Sequence, residues 1–518
     1  MSSATPFLKN TRIIAALTLA SRVLGLGREM VFAYCFSTGS VLSAFRLAFV
    51  VPNLARRLFG EGALSSALIP ILSETITKEG ENAGRRLAGS VMTLIFVGLT
   101  GVVVVVELGV AVARWMNPEL ALDLTAVLLP YMVLVCATAV AGGVLNVRGR
   151  FAVPAATPMI LNVAIIAGAG VGARWAGRGG EALMYVVCVS VLVAGAVQLA
   201  LQLVTLYRDR FFPILNLEWR GRELRRVFAM MGPMILGLSA VQISTLTDYL
   251  IAYIFVTDAA GQRVGPAVLG YAQYLYQLPL GVFGIALATA VFPAMAARAA
   301  EDDLRGLEEI FVRGVRMTFF IGLPASVGLI FVARPLVCAL FQRGDFDAGD
   351  TSRVAGALTC YAVGLAAYFT NHVVVRTFYS LKDSKTPVRI AAWMVLLNVS
   401  LGLVLVFTPL QEWGLALATA VSAVCQTVWL AISLRRVLPH TPTRLIATGL
   451  KRTLLATALM ALVLTVIATL PLLRDALADR AVGRLIVLVV AGVASYASSA
   501  RLLGMEELDD LVGLRRKK

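Results

Sequence analysis

The sequence is poor in charged side chains and almost free of histidine. Asp, Glu, Lys and Arg make up 15% of its 518 residues, whereas a soluble globular domain has roughly 25%. The two histidines, His372 and His440, cannot build a histidine metal cluster. Together with a mean hydropathy of +0.83, these shortages argue against an ordinary soluble domain and against a histidine-based metalloenzyme.

Cysteine and catalytic motifs are also scarce. The six cysteines are scattered through apolar segments without the spacing of a metal site or a disulfide framework, so we interpret them as small buried hydrophobic residues. No nucleophile–base pair, metal motif or nucleotide-binding glycine loop can be recognised. The segment GLGRE lacks the strand–turn–helix context of such a loop. The sequence therefore does not predict an enzyme, a cofactor or a firm metal site.

What the sequence has in abundance is apolar blocks of about 20 residues, the length that crosses a bilayer as a helix. Short charged loops separate the blocks, and this pattern predicts an all-α polytopic membrane protein with about fourteen transmembrane helices. The predicted spans are 13–36, 41–72, 90–114, 122–145, 156–174, 183–206, 228–256, 266–296, 315–338, 354–380, 388–408, 413–434, 449–471 and 482–503.

The loops between these spans alternate between strongly basic and neutral or mixed. Segments 208–226, 298–316 and 435–452 are among the basic ones, and RWMNPELALD and RGDFDAGDTSR are among the mixed ones. Because basic loops stay in the cytoplasm, the alternation predicts an even number of helices with both termini cytoplasmic. The net charge of +16 is thus a topology signal, and no nucleic-acid partner is expected.

The chain contains an internal repeat. GALSSALIP resembles GIALATAVFP, and PAATPMILNV resembles DSKTPVRIAAWMVLLNV, with Thr157-Pro158 matching Thr386-Pro387. The matched prolines Pro52 and Pro279, and Pro158 and Pro387, are separated by nearly the same distance along the chain. An even number of helices in each half makes the repeat parallel. The prediction is two six-helix lobes and an appended helix pair, over 1–225, 226–440 and 441–518.

The first two predicted spans carry five arginines and only two glutamates. They are Arg22, Arg28, Glu29, Arg46, Arg56, Arg57 and Glu61. A charge at membrane depth costs roughly 2.5–3.5 kcal/mol on insertion scales and is kept where it faces a bundle interior or a hydrated cavity. The excess of arginine predicts an anionic ligand, and the planar guanidinium group suits phosphate.

Helical spacing arranges the first three of these charges. Arg22 and Glu29 are seven residues apart and share a face of the helix, whereas Arg28 lies on another face and widens the cationic wall. The alternative is that some of the arginines extend to the membrane interface or bind backbone carbonyls.

Spacing also separates the next three charges. Arg57 and Glu61 are four residues apart and can neutralise each other as a gating ion pair. Arg56 then has no local partner, which makes it the better candidate for binding the ligand.

The second half contains a lone carboxylate within an apolar span. Asp248 lies in QISTLTDYLIAYIF without a charged neighbour in the sequence, and Asn398 and Thr419 lie in later spans. These three residues are a candidate cation site, with sodium or a proton as the ligand. The alternative is that they are polar contacts between helices.

Four segments resemble the MurJ/MviN family, which comprises bacterial lipid II flippases of the multidrug/oligosaccharidyl-lipid/polysaccharide exporter superfamily. They are SRVLGLGRE, VPNLARRLFGEGALSSALIPILSE, GVFGIALATAVFPAMA and FYSLKDSKTPVRIA. The resemblance implies fourteen helices in two six-helix lobes, and an appended pair that forms a groove for the polyprenyl tail. It also implies a cationic central cavity for the pyrophosphate and alternating access coupled to membrane potential or sodium.

By motif, Arg22, Arg28 and Arg56 match the cavity arginines of this family, and Glu29 matches the acidic residue that follows the second of them. The resemblance therefore implies that the three arginines bind the pyrophosphate.

The chain departs from the family pattern at three positions. Tyr274 and Gln277 stand where a YADRLxxFP-like motif has an arginine and an acidic residue, and Ser43 replaces an acidic residue. Arg46 or Arg376 can supply the missing positive charge.

We therefore expect a lipid II flippase of the bacterial inner membrane. It would move the undecaprenyl-pyrophosphate-linked peptidoglycan precursor from the cytoplasmic to the periplasmic leaflet for cell-wall synthesis. Expected partners are lipid II or a related polyprenyl lipid, membrane lipids and the cell-wall synthesis machinery. Two alternatives stay open: a cation-coupled exporter of another polyprenyl-linked saccharide or small molecule, and a non-transporting scaffold for cell-wall assembly.

Overall fold

The computed structural model describes residues 4–58, 64–469 and 481–512, and in these ranges the chain is helical without a β-strand. This confirms the all-α prediction. The helices are α1 Ala4–Phe36, α2 Ser40–Ala55, α3 Leu64–Glu79, α4 Glu81–Met116, α5 Leu120–Val147, α6 Ala152–Ala176, α7 Glu181–Arg208, α8 Arg222–Phe255, α9 Gly265–Pro279, α10 Ile285–Ala300, α11 Leu304–Phe341, α12 Ala348–Val363, α13 Leu365–Ser380, α14 Lys385–Val406, α15 Glu412–Leu434, α16 Thr443–Thr469, α17 Ala481–Leu502 and α18 Glu506–Val512.

Most of the predicted spans coincide with helices that are long and apolar enough to cross a membrane. Within the described ranges there are ten such helices, or eleven if the bent pair α12–α13 is one span. The polytopic architecture is thus confirmed, whereas the count of fourteen is not reached by this criterion. The other three predicted spans, 13–36, 41–72 and 228–256, fall on α1, on α2 with α3, and on α8. These helices carry the charged residues of the candidate site within their apolar runs.

The chain divides into two compact units. The first comprises Met1–Tyr253, Ala259–Ala267 and Arg343–Asp345, and the second comprises the remaining segments. The packing thus groups α8 with the first unit and α16 to α18 with the second. The lobe limits at 225 and 440, and the lipid-tail groove in 441–518, stay predictions.

The two units share an order of helix packing. In the first unit, α5 packs against α2, α3, α4 and α7, and α6 packs against α7. In the second unit, the bent pair α12–α13 takes the place of α5: it packs against α10, α11 and α15, and α14 packs against α15. The packing around α5 in the first unit and around α12–α13 in the second is thus similar, and the parallel repeat stays a prediction. The appended helices α16 and α17 pack against each other and against α11.

In each of the two predicted lobes, the second span is interrupted shortly after a proline. In the first, α2 contains Pro52 and gives way to a π-helical turn at residues 56–58. In the second, α9 ends at Pro279 and the π-helical turn Leu280–Gly284 follows. Proline removes a backbone donor and crowds the preceding turn, so the regular hydrogen-bond ladder ends there.

Two loop contacts are completed inside the first unit. Arg263 donates to both carboxylate oxygens of Glu119, at 2.6 and 3.1 Å, and its guanidinium lies 4.6 Å from the ring centre of Tyr253. Hydrogen bonds from Arg263 hold the pKa of the Glu119 carboxyl below its usual value. The contact is therefore complete at neutral pH and weakens in acid, as the pH falls through that lowered pKa.

The second contact is made by the short segment that follows α11. The amide of Asp345 donates to the carbonyl of Tyr34 at 3.3 Å, and the Asp345 carboxylate lies 3.4 Å from Arg178. Gly344 has a φ of +64°, and a Cβ at this position would lie 2.6 Å from the Tyr34 carbonyl oxygen. Only glycine fits both the backbone conformation and the close approach.

We predict that Gly344→Ala loosens this contact. The strained conformation and the clash with Tyr34 should lower the free energy of unfolding by about 1–3 kcal/mol, measured as a lower thermal midpoint of the purified protein in detergent. Gly328→Ala on α11 is the control, because a Cβ there meets no atom within 4 Å. Equal midpoints for the two variants would contradict the prediction.

Candidate functional site

The buried carboxylate of Glu29 is shared by two arginines in the first unit. Glu29 lies on α1 with 1% of its surface exposed. Its Oε1 accepts from Arg28 Nη2 at 2.6 Å, and its Oε2 accepts from Arg46 Nη2 of α2 at 2.5 Å. One negative charge thus meets two positive charges, and both oxygens of the carboxylate are occupied by guanidinium groups.

Arg28 is also fixed from the side of α6. Its Nη1 donates to Asn162 Oδ1 at 3.1 Å, and Asn162 Nδ2 donates to the carbonyl of Ser21 at 3.2 Å. Arg28 Nε is buried and has no hydrogen-bond partner in the described part of the chain. The orientation of this guanidinium is therefore set by an acid on its own helix and an amide on a neighbouring one.

Helix α8 brings further charges to the same region. Tyr249 is buried, and its hydroxyl lies within electrostatic range of Glu29, Arg46, Arg57 and the adjacent Asp248. Asp248 is buried as well. We call the group Arg28, Glu29, Arg46, Arg57 and Asp248 the charge cluster. Counted over the described residues, it contains three guanidinium groups and two carboxylates, so the formal charge of this group is positive.

Arg56 lies in a different environment. It follows α2 in the π-helical turn, and its Nε and Nη2 donate to Asn53 Oδ1 at 3.1 and 2.8 Å. Arg56 lines a cavity of about 190 Å³ whose other walls come from α5, α6 and α7. The structure therefore gathers Arg28 and Glu29 with Arg46 and Arg57, and it places Arg56 at the cavity between α5, α6 and α7.

Of the remaining predicted residues in the first spans, Arg22 is half-buried on α1, seven residues before Glu29. Glu61, the predicted gating partner of Arg57, lies outside the described residues. The pyrophosphate-binding role of Arg22 and the gating pair stay predictions.

The three residues of the candidate cation site are divided between the two units. Asp248 belongs to the first unit and is part of the charge cluster, whereas Asn398 and Thr419 belong to the second. Asn398 is buried on α14, and Thr419 Oγ1 on α15 donates to the carbonyl of Leu415 at 3.1 Å. In the described ranges, no group of three or more His, Cys, Asp or Glu side chains could hold a metal ion. A sodium site built from these three residues stays a prediction.

The positions that depart from the family motif have two kinds of surroundings. Ser43 is fully buried, and its Oγ accepts from the amide of Ala267 at 3.3 Å, near the start of α9. Tyr274 and Gln277 are half-buried on α9. Ser43 thus links α2 to the start of α9 by a hydrogen bond. A carboxylate buried at this position would need further hydrogen-bond or cationic partners.

Arg376 is a cation of the second unit for which the described residues provide no carboxylate partner. It lies on α13 with its guanidinium 5.8 Å from the ring centre of Phe292, and no acid pairs with it in the described part of the chain. Tyr368, His372 and Arg376 follow each other at intervals of four residues and are all half-buried, so they form one polar face of the helix. A cation that is kept here without an acid is suited to an anion that comes from outside the unit.

Sequence reasoning missed Asn162 and Tyr249 as members of this site. Asn162 lies within the repeat segment PAATPMILNV, in which we used only the proline. Tyr249 follows Asp248 directly, and this position beside a carboxylate within an apolar span was the only sequence feature that pointed to Tyr249.

The comparisons with known proteins fit this arrangement. A sequence model of the lipid II flippase MurJ family matches residues 32–472. The chain belongs to the MurJ family. Among its curated relatives are the lipid II flippase MurJ of Burkholderia cenocepacia, with 32% identity over 82% of this chain and 83% of the relative, and the probable lipid II flippase MurJ of Vibrio cholerae, with 31% identity over 80% of each.

Solved structures agree with the MurJ assignment at the level of the fold. A lipid II flippase MurJ in an inward closed conformation superposes with a TM-score of 0.74 at 21% identity and covers 96% of this chain. An inward-facing multidrug transporter of the MATE family superposes with a TM-score of 0.67 at 16% identity, covering 83% of this chain. This MurJ-family chain therefore has the fold of a polytopic transporter superfamily.

We predict that Glu29→Gln strongly destabilises the protein. The substitution leaves Arg28 and Arg46 buried without their shared carboxylate, and breaking a buried ion pair from one side costs roughly 3–5 kcal/mol. The expected result is a lower thermal midpoint and a lower yield of folded protein in the membrane.

Glu74→Gln is the matched control for this prediction. Glu74 also binds two basic residues, Lys78 at 2.7 Å and Arg226 at 2.9 Å, but it is exposed. Exposed pairs contribute about 0–1 kcal/mol. Equal stability of the two variants would show that the shared carboxylate of Glu29 is not a structural requirement.

Proposed function

We propose that this chain is a lipid II flippase that moves the undecaprenyl-pyrophosphate-linked peptidoglycan precursor between the leaflets of the bacterial inner membrane. The observation that carries the proposal is the excess of guanidinium over carboxylate in the charge cluster, within helices of a membrane protein. The names of its MurJ relatives give the substrate. Translocation runs from the cytoplasmic to the periplasmic leaflet, and both chain termini are cytoplasmic.

The charge cluster suits an anion that binds and leaves. In the empty site Glu29 neutralises part of the charge of Arg28 and Arg46, which limits the penalty of keeping cations in the membrane. A pyrophosphate offers several acceptor oxygens and binds guanidinium groups in the same planar geometry as a carboxylate. The pyrophosphate therefore displaces the Glu29 carboxylate from the guanidinium groups of Arg28 and Arg46. Arg22 and Arg56 are its further ligands.

Arg376 supplies the positive charge of the second unit in place of the arginine missing at Tyr274. The polar face formed by Tyr368, His372 and Arg376 contacts the head group when the cavity closes around it. Alternating access then carries the pyrophosphate across while the polyprenyl tail stays in the lipid, along the groove proposed for the helix pair α16–α17.

The driving force is the membrane potential or a sodium gradient. Asp248, Asn398 and Thr419 are the proposed sodium ligands, and Arg57 with Glu61 is the proposed ion pair that opens and closes with the cavity. The relatives named as transporters support a protein that transports without catalysing a reaction. Membrane lipids and the enzymes of cell-wall synthesis are its proposed neighbours.

A depletion–complementation experiment tests the function. The chain should restore growth and shape in a bacterium depleted of its lipid II flippase, and Arg28→Ala should abolish the rescue because the pyrophosphate loses a ligand. Arg150→Ala is the control, since Arg150 is an exposed arginine that pairs with Asp209, which keeps Arg148 as its second partner. A chain that inserts and folds but does not rescue would refute the flippase assignment.

We predict that Arg376→Ala slows flipping by about ten- to a hundredfold, because a hydrogen bond to a charged group contributes roughly 1.5–3 kcal/mol. The measurement is a leaflet-resolved assay in proteoliposomes with lipid II as substrate. Arg376→Lys should retain part of the rate, since it keeps the charge and loses only the paired donors. Full activity of Arg376→Ala would remove Arg376 from the proposed site.

The same assay separates the alternatives. A cation-coupled exporter of another substrate requires Asp248 more than Arg28, so Asp248→Asn would then stop transport while Arg28→Ala would not. A scaffold would bind the lipid without moving it. The position of Asp248 inside a cluster that also holds three arginines favours the flippase over an exporter that depends on an isolated carboxylate.

A further inference from the structure

The segment that joins α7 to α8 is fixed to the first unit although it contains neither a helix nor a strand. It comprises residues 209–221, and we call it the α7–α8 segment. At its start, the Asp209 carboxylate accepts from Arg148 at 2.8 Å and from Arg150 at 2.9 Å. Phe211 follows and is fully buried. The segment is therefore anchored before it reaches α4.

Hydrogen bonds then hold the α7–α8 segment along the first turns of α4. The amide of Ile214 donates to the carbonyl of Arg85 at 3.0 Å, and Ser90 Oγ donates to Asn216 Oδ1 at 2.6 Å. A Cβ on Gly89 would overlap with the carbonyl group of Ile214, so any larger residue would push the segment away. The side chains that the segment turns outward thus keep a defined position on the surface.

Several of these outward side chains are large and apolar. Leu215, Leu217 and Trp219 expose 65%, 64% and 69% of their surface, and we call these three side chains the apolar patch. Single exposed apolar residues are ordinary on a protein surface, whereas several on one short segment indicate an interaction site. Because the backbone here is fixed by hydrogen bonds, the exposure of the patch is a property of the fold.

The apolar patch adjoins the part of α4 that is suited to face lipid. Leu217 and Trp219 share a small cleft with Val97 of α4. Over residues 97–112, every exposed side chain of α4 except Thr100 is apolar, and α4 is long and apolar enough to cross a membrane. The patch therefore lies at the level where α4 enters the membrane, which is the level at which tryptophan is enriched.

Exposed arginines lie before and after the apolar patch along the chain. They are Arg208, Arg210, Arg220, Arg222 and Arg225, and none of them forms an ion pair in the described part of the chain. Only Glu218 and Glu223 lie among them as further acids, since Asp209 is occupied by Arg148 and Arg150. The bases thus outnumber the available acids, and a surface of this charge attracts an anionic membrane.

We propose that the α7–α8 segment is a docking surface for the anionic phospholipids of the bilayer. The apolar patch enters the head-group layer, and Arg220, Arg222 and Arg225 bind the lipid phosphates. The charge selects an anionic over a zwitterionic lipid, and the patch selects a lipid layer over an acidic soluble protein. The surface shares no residue with the charge cluster, so the inference does not depend on which lipid the protein transports.

The first experiment measures the binding of phosphatidylglycerol to the purified full-length protein in detergent, with phosphatidylcholine as the neutral comparison. The triple variant Arg220→Gln/Arg222→Gln/Arg225→Gln should weaken phosphatidylglycerol binding at least tenfold, because each basic residue near an anionic lipid layer contributes about fivefold. Phosphatidylcholine binding should change less than twofold. Unchanged binding of phosphatidylglycerol would overturn the proposal.

The matched control is the triple variant Arg435→Gln/Arg436→Gln/Arg444→Gln. These three arginines are also exposed, but they lie in the second unit, away from the apolar patch along the chain. The control removes the same charge and should weaken phosphatidylglycerol binding less than threefold. Equal losses in the two triple variants would show that the lipid responds only to the net charge of the protein, and this result too would refute the docking surface.

A second measurement tests insertion of the apolar patch without changing any arginine. Lipids with brominated acyl chains quench indoles that enter the membrane, so in nanodiscs of such a phosphatidylglycerol Trp219→Phe should lower the quenched share of the tryptophan emission. Trp413→Phe is the control and should not lower it. Trp413 is half-buried in the second unit, and its indole donates to the carbonyl of Arg353 at 2.9 Å.

The opposite result is equally clear. If Trp219→Phe leaves the share quenched by brominated lipid unchanged and instead lowers the share quenched by iodide in the water, the α7–α8 segment faces the aqueous phase. The partner would then be a soluble molecule, and the proposed lipid docking surface would be wrong.

Discussion

The arrangement of the first unit depends on one carboxylate that serves two guanidinium groups. Glu29 allows Arg28 of α1 and Arg46 of α2 to stay at membrane depth, where an isolated cation would be expelled or would distort the helix packing. A one-to-one ion pair would leave a neutral and purely structural contact. With two guanidinium groups on one acid, the bases outnumber the acid, and this difference is the basis of the proposed anion site.

The backbone of the second span in each predicted lobe is irregular beside residues of the candidate site. Regular helix ends after Pro52 and again after Pro279, and each break lies next to residues of the candidate site: Arg56 in the first unit and Gln277 in the second. A π-helical turn changes which way the following side chains point, and such turns occur often at functional sites. A break thus follows a proline in both places, although the side chains around the two breaks differ.

The fold could be predicted far better than the site, because the two depend on different ranges of the chain. Apolar length is a local property, so most spans followed from it. The three predicted spans that were not confirmed as membrane-crossing helices lie on α1, on α2 with α3, and on α8, which are also the helices that carry the charges of the candidate site. The pair Arg28–Glu29 could not be predicted from helical spacing, because that rule pairs residues three or four positions apart. Adjacent residues on a helix point about 100° apart. Asn162 contacts Arg28 across 134 positions of sequence, and no local pattern encodes that contact.

The departures from the family motif change the balance of charge in an unexpected direction. Tyr274 removes one positive charge, while Ser43 and Gln277 each remove one negative charge, so the three changes together leave the protein more positive than the motif. A cavity is cationic by the difference between its bases and acids, and losing acids is as effective as adding arginines. Ser43 also needs only one hydrogen bond, from Ala267, where a buried carboxylate would need a cation. The absence of an arginine at Tyr274 is therefore compatible with an anion site. Arg376 is the proposed replacement for that arginine, because no acid pairs with it in the described part of the second unit.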